Sequence, residues 1–420
     1  MPQLSSPAYN SMVSAACAVK CFFSIAILLL YLLPAVGWTQ QAWLMTYGIG
    51  DRVEEKFGHN AIWIRDRERG VDEIYNFGFF DFDKPGFYQQ FLFGEMIYFA
   101  LGRSPEEELA YYRWRDREVR AQQLNLDVET IRRLAGWLDE RVAPENRDFH
   151  YDYYFNNCSN RVRDALDFAL DGALRRSTID QPARLNFRQH TRRLVQDDPL
   201  LYLGIQAGLG RPADRPRSVW EEMFLPAVVA RELASMSIMG SDGQLGPLVV
   251  ADRLLYESTR PEPPARPDFG VGRFLSLAAL SILAIVAPAV LASRCRSLGL
   301  LPFRLWLLLA SAAGLVLAFL WLATDHQAAW RNENLLLFNP LMILLWRARG
   351  GVVERLVGSV VALGLLASIA LKFLPGAQWN YDLMIWLLPA QAAVLWVWNK
   401  KAGPGRDDHG RRPGPARTMP

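Results

Sequence analysis

Five apolar runs crowd the last third of the chain, at 274–292, 305–323, 335–346, 356–374 and 383–398. A helix crossing a bilayer needs about 20 mostly apolar residues, because the hydrocarbon core offers no water to an exposed backbone. Four runs approach that length. The third is shorter and is interrupted by Asn339-Pro340, so it is expected to be broken or re-entrant. A sixth run, at 21–38, follows Lys20 and ends in Ala35-Val36-Gly37. It reads as a signal anchor or a cleaved signal peptide, and either one exports the polar residues after it.

Charge sets the orientation. If the polar middle lies outside, the inner loops carry Arg294, Arg296 and Arg304, then Arg347, Arg349 and Arg355, then Lys400, Lys401, Arg406, Arg411, Arg412 and Arg417. The outer loops, 324–334 and 375–382, hold only Arg331. The bias alternates at every crossing, as the positive-inside rule requires. Several of the 14 Trp fall at the ends of these runs, where an amphipathic ring suits the interface. The expected organisation is a membrane segment at 1–38, an exported domain at 39–260, a proline-stiffened linker at 261–271, a five-helix all-α bundle at 272–399 and a disordered cytoplasmic tail at 400–420.

The 420 residues suffice for two domains. A charged fraction of 21% and a net charge of +3 argue against a nucleic-acid binder. The apolar runs contain essentially no carboxylate, which argues against an ion or proton pathway. No Cys-x-x-Cys pair, clustered histidines or Walker-type glycine loop is present, so no metal and no cofactor are expected. The oligomeric state is left open.

The exported part begins with strands at 43–49, 60–64 and 73–80, with Arg69-Gly70 as a turn. Helical spacing follows at 105–117 and 128–142, and 151–155 reads as a short aromatic strand. Asn156-Asn157-Cys158 then opens a helix whose apolar stripe is Val162, Ala165, Leu166, Ala169 and Leu170.

Cys158 is the only one of four cysteines in the exported part, so it has no internal disulfide partner. It projects from the buried side of a helix's first turn, where the helix terminus favours a thiolate. The alternative is a small core residue beside a cap. A thiolate nucleophile wants a histidine. His59, after Gly58 and at the start of a strand, is placed for that role. His150 and His190 read as solvated surface histidines. Asn76, on the next strand, is a candidate to orient the imidazole, whereas Glu73 and Tyr75 point to the other face.

Taken in order, Phe57-Gly58-His59-Asn60-Ala61, Glu73-Ile74-Tyr75-Asn76-Phe77-Gly78 and Asn156-Asn157-Cys158-Ser159-Asn160-Arg161 resemble the Lnb N-terminal periplasmic domain family. So do 204–210, Pro212-Ala213-Asp214-Arg215-Pro216 and 220–226. In the membrane half, Thr324-Asp325-His326 and Asn332-Glu333-Asn334-Leu335-Leu336 through Asn339-Pro340 extend the likeness.

The resemblance implies an α+β exported domain with a circularly permuted papain-like (NlpC-type) fold, histidine preceding cysteine. It implies acyl transfer from a lipid or lipoprotein to an amine, as in lipoprotein N-acylation. Cys158 would be the nucleophile, His59 its base and Asn76 the orienting residue. The place would be the bacterial inner membrane, with the catalytic domain on the periplasmic side. Asp325, His326, Asn332 and Asn334, at membrane depth on the outer side, are expected to bind a lipid headgroup or dock the exported domain. Two other classes compete: a cysteine amidase or peptidase acting on cell-wall peptide, and a non-enzymatic envelope assembly factor with a structural Cys158.

Overall fold

The computed structural model describes residues 40–240, 243–291 and 296–402. The apolar stretch at 21–38 and the tail from 403 lie outside the described residues.

The strands are β1 (Gln40–Tyr47), β2 (His59–Asp66), β3 (Val71–Phe79), β4 (Ile97–Arg103), β5 (Val119–Leu124), β6 (Asp148–His150), β7 (Ser237–Met239), β8 (Leu245–Pro247) and β9 (Val249–Tyr256). Seven form one antiparallel sheet in the order β6-β4-β3-β2-β1-β5-β9, and β7 and β8 form a separate hairpin. Helices α1 (Phe87–Phe93), α2 (Pro105–Trp114), α3 (Val128–Val142) and α4 (Cys158–Ala169) interrupt the strands. Before β9 closes the edge come α5 (Phe187–Val195), α6 (Pro199–Gly208) and α7 (Pro226–Ser235).

Period-two alternation gives the sheet two apolar faces. Leu44, Ile62, Ile64, Tyr75 and Phe77 point one way, into the main core with Leu134 and Leu138 of α3 and Val162 and Leu166 of α4. Met45, Tyr47, Ala61 and Ile74 point the other way, against Tyr112 of α2. Each fully buried Leu or Ile here stabilises the fold by roughly 1.5–3 kcal/mol. The expected strand at 151–155 is instead a turn. The Asp152 carboxylate accepts the N–H groups of Tyr154 (2.8 Å) and Phe155 (2.9 Å), a local bond that overrides aromatic strand preference.

Four helices in the membrane half are long and apolar enough to span: α8 (Val271–Leu291), α9 (Leu301–Leu322), α10 (Val352–Ala370) and α11 (Tyr381–Ala402). Lys400 and Lys401, expected in the tail, end α11. The expected five helices are thus four. The third apolar run forms two 3-10 turns, Glu333–Leu336 and Pro340–Leu345. Pro340 has no N–H to continue a helix, and Asn339 caps the new turn by accepting from Leu341 N at 3.0 Å.

This segment still crosses the bundle. Its start reaches the exported domain, and Trp346 at its end lies under Arg304 in the first turn of α9. A 3-10 turn rises about 2.0 Å per residue against about 1.5 Å for an α-helix, so a short segment reaches further. The irregular backbone is tolerated because it is covered. Gln391 of α11 donates to Leu337 O at 2.8 Å, and Gly314 of α9 has no Cβ where one would stand 2.0 Å from Phe338 O.

The two halves join at the C-terminus of α6, whose last carbonyls have no intrahelical partner. Asn332 donates to Ala207 O (2.8 Å) and Gly208 O (2.9 Å), and Asn334 donates to Gln206 O (3.2 Å) and Ala207 O (2.9 Å). Gln378 donates to Leu209 O at 2.9 Å. Below them Glu333 accepts from Arg211 and Lys372, both at 2.6 Å. Tyr202 donates to Asp382 at 2.7 Å.

Candidate active site

Asn157 caps α4 and fixes where Cys158 stands. Its side chain accepts from Asn160 N, and the Asn160 side chain accepts from Asn157 N, both at 3.0 Å. Such a reciprocal box is worth about 1 kcal/mol or more. The Asn157 amide also donates to Tyr153 O and Phe224 O, each at 2.9 Å. With both ends of that amide held, the first residue of the helix has little freedom.

His59 and Asn76 come from the sheet. Asn76 pairs with Ala61, two residues beyond His59, so both side chains leave the same face. His59 Nε2 lies 3.0 Å from Asn76 Oδ1, and the Asn76 amide donates to Ile74 O at 3.3 Å. That second bond sets the amide with its oxygen toward the ring. Nε2–H is then the donor, and Nδ1 is the nitrogen left for the thiol. Tyr47 and Tyr112 hold the imidazole in a near-parallel stack at 5.8 and 6.4 Å.

The Cys158 thiol faces His59 closely enough for each to shift the other's titration. Burial alone would raise the thiol. The charge of His59, the Asn60 N–H and the Ser159 hydroxyl outweigh that and hold the thiol at about 7. Burial likewise opposes charge on His59, yet the neighbouring Cys158, then Glu108 and Asn76, raise it. A thiolate–imidazolium pair is the form this arrangement favours.

Two features of the site lie outside the sequence-based expectations. Glu108 is 1% exposed on α2, its carboxyl raised by burial; His59, Arg103 and Asn76 counter that rise, and Arg103 stands 3.5 Å away. The signal was present, since Pro105, Glu108 and Tyr112 share the buried stripe of α2. The Asn60 backbone N–H, facing the thiol, carries no side-chain signature.

Of the expected residues, the structure brings Cys158, His59 and Asn76 together. Asn332 and Asn334 stand apart, on the α6 carbonyls. Asp325 and His326 lie against α1: Asp325 N donates to Phe93 O at 2.8 Å, and His326 Nε2 is 3.0 Å from Phe91 O. His150 is exposed on β6. His190 is not a solvated residue. It is 4% exposed, with Nε2 2.7 Å from Glu222, and burial lowers its pKa. Glu222 also accepts from Arg231 and from the backbone of Leu185, so the pair ties α5 to the segment before α7.

Two family models match the chain. The Lnb N-terminal periplasmic domain covers residues 39–196, and the Lnb transmembrane domain covers residues 274–350. No curated protein and no solved structure matches. The chain is a membrane protein with a soluble α/β domain, a periplasmic part and, among the described residues, four apolar helices.

Proposed function

The chain belongs to the Lnb family, and we propose that it is a membrane-tethered thiol acyltransferase, lifting an acyl chain from a lipid or lipoprotein onto Cys158 and passing it to an amine. The observation that carries this reading is the series Cys158–His59–Asn76, in which Asn76 is hydrogen-bonded to an imidazole that faces the thiol. On the same reading the exported domain is a permuted papain-like (NlpC-type) fold, in which the sheet supplies base and orienter and a later helix supplies the thiol. The bundle sits in the inner membrane, and Asn332 and Asn334 dock the domain onto it.

His59 Nδ1 takes the thiol proton, and the thiolate attacks the ester carbonyl carbon. The oxyanion is held by backbone N–H groups at the start of α4. Its collapse breaks the bond to the ester oxygen, and the imidazolium returns its proton to the departing alcohol. An amine then attacks the thioester carbonyl and gives its proton to His59. The amide leaves and the Cys158 thiolate is regenerated. A bilayer-bound donor explains the tether, since its acyl chain never leaves the membrane surface.

The test is intact mass spectrometry of the protein purified in native lipid, wild type beside Cys158→Ala and His59→Ala. A hydroxylamine-sensitive acyl adduct on Cys158, absent from both variants, is expected. An unmodified Cys158 that also resists a thiol-reactive probe in the folded protein would end the acyl-transfer reading.

A further inference from the structure

Cys158 is buried, 8% exposed, yet an acyl substrate has to reach it from a bilayer. One surface near it that carries apolar side chains in the open is α1 and the turn before it. Phe82 is 54% exposed, Tyr88 71%, Phe91 43% and Leu92 51%. A soluble domain leaves such a patch bare only where something apolar covers it.

The position of α1 says what covers it. Phe93 at its end packs on Phe319 of α9, one turn below that helix's outer end, with ring centroids 5.6 Å apart. The Asp325 N–H binds the Phe93 carbonyl, and Gly94 is packed so closely on Asp325 and His326 that a Cβ there would stand 2.9 Å from their backbone. The exposed face of α1 is therefore continuous with the lipid-facing surface of a membrane-spanning helix.

From α1, two files of rings lead inward. Phe91 stacks on Phe87 (6.3 Å), Phe87 on Phe80 (6.0 Å), Phe80 meets Tyr98 (5.0 Å), and Tyr98 stacks on Tyr151 (4.2 Å). On the other side Phe91 meets His326 (6.5 Å), which stacks on Tyr153 (6.0 Å), and Tyr153 meets Tyr151 (6.3 Å). Both files end beside the thiol. At Gly78 an added Cβ would lie 3.7 Å from both Tyr151 Cε2 and Cys158 Cβ, so the missing side chain leaves the final gap free.

We propose that α1 dips into the outer leaflet and that the ring files running from Phe91 to Tyr151 guide a lipid acyl chain to Cys158. The occupant is bilayer hydrocarbon. The membrane contact stands on the geometry alone, whereas the guiding role rests on the acyl-transfer reading.

The experiment uses the full chain in phosphatidylethanolamine/phosphatidylglycerol nanodiscs. In a background with its four native cysteines replaced, nitroxides are placed by Tyr88→Cys and Leu92→Cys, with Leu309→Cys on α9 as the bilayer reference. Arg67→Cys, in the β2–β3 turn at the far end of the same strands, is the aqueous reference. Power saturation is expected to show oxygen access and shielding from a nickel chelate at 88 and 92, as at 309. Nickel access equal to that at 67 would overturn the proposal, and so would shielding from both reagents, which would mean a protein partner.

With Cys158 present, a Tyr88→Glu/Leu92→Glu variant is compared on a diacyl phospholipid and on a soluble short-chain ester. Two carboxylates replace apolar surface that would lie in hydrocarbon, so the ratio of lipid to soluble thioester formation is expected to fall roughly tenfold or more. An unchanged ratio would overturn the guiding role. Absence of a thioester from either donor in the wild type would instead sink the acyl-transfer reading, with the depth measurement still deciding whether α1 enters the bilayer.

Discussion

His59 Nε2 and Asn76 Oδ1 stand 3.0 Å apart on neighbouring strands, and this contact decides which ring nitrogen of the imidazole meets Cys158. Asn76 acts as a positioning residue. Asn76→Ala is expected to slow Cys158 acylation by about 10- to 100-fold, less than the roughly 10²–10⁴ that acid–base catalysis as a whole supplies. Asn76→Asp keeps an acceptor and is expected to recover much of the rate. Equal rates in wild type and Asn76→Ala would remove the orienting role.

The Cys158 thiol is held at about 7. Below that value the proton stays on sulfur and alkylation is slow; above it the thiolate dominates. Iodoacetamide labelling, read by mass spectrometry, is therefore expected to rise through about pH 7. A free thiol rises near about 8.5. In His59→Ala the imidazolium is gone and only the Asn60 N–H and the Ser159 hydroxyl still oppose burial, so the midpoint is expected to move up, to the free-thiol value or beyond. A wild-type midpoint at or above the free-thiol value would contradict the ion pair.

Glu108 tests the environment of the imidazole. His59 is raised chiefly by Cys158 and then by Glu108, and it loses its proton as pH rises through that raised value. Glu108→Gln removes a negative charge, so the imidazolium becomes less stable and its deprotonation moves to lower pH. The alkaline limb of the rate profile is expected to shift down. The acid limb, set by Cys158, is expected to move less. If both limbs stay fixed, Glu108 is only a partner for Arg103.

Legibility in the residues depended on local signals. Strong 3.6-residue spacing marks α3 at its observed bounds, and Asn157 marks the start of α4. Period-two alternation separates Asn76 from Glu73 and Tyr75, and the Ala61–Asn76 register then puts it on the face of His59. The edge strand β9 stays hidden because its face is largely exposed and carries charge. The 3-10 character of the third crossing depends on Gln391 and Gly314, residues of other helices that cover its backbone. The burial of His190 likewise needs Glu222, which arrives from 32 residues away. Long-range partners of this kind leave no mark in a local window.

The joint between the halves turns on Glu333. Its carboxylate holds Lys372 of the bundle and Arg211 of the exported domain, and also accepts from Gln378 N at 2.9 Å. The side chains of Glu333 and Lys372 are 5% and 8% exposed, so neither charge has water as an alternative partner. Glu333→Ala strands a buried ammonium and is expected to cost about 3–5 kcal/mol, the usual consequence of breaking such a pair from one side. Lys372→Met in the Glu333→Ala background removes the stranded charge and should restore part of that loss. A double-mutant cycle on thermal unfolding in detergent measures the coupling. If the single variant unfolds at the wild-type temperature, the halves are held by their other contacts, among them the α6 carbonyl bonds of Asn332, Asn334 and Gln378 and the Tyr202–Asp382 bond, and the ion pair contributes nothing to the joint.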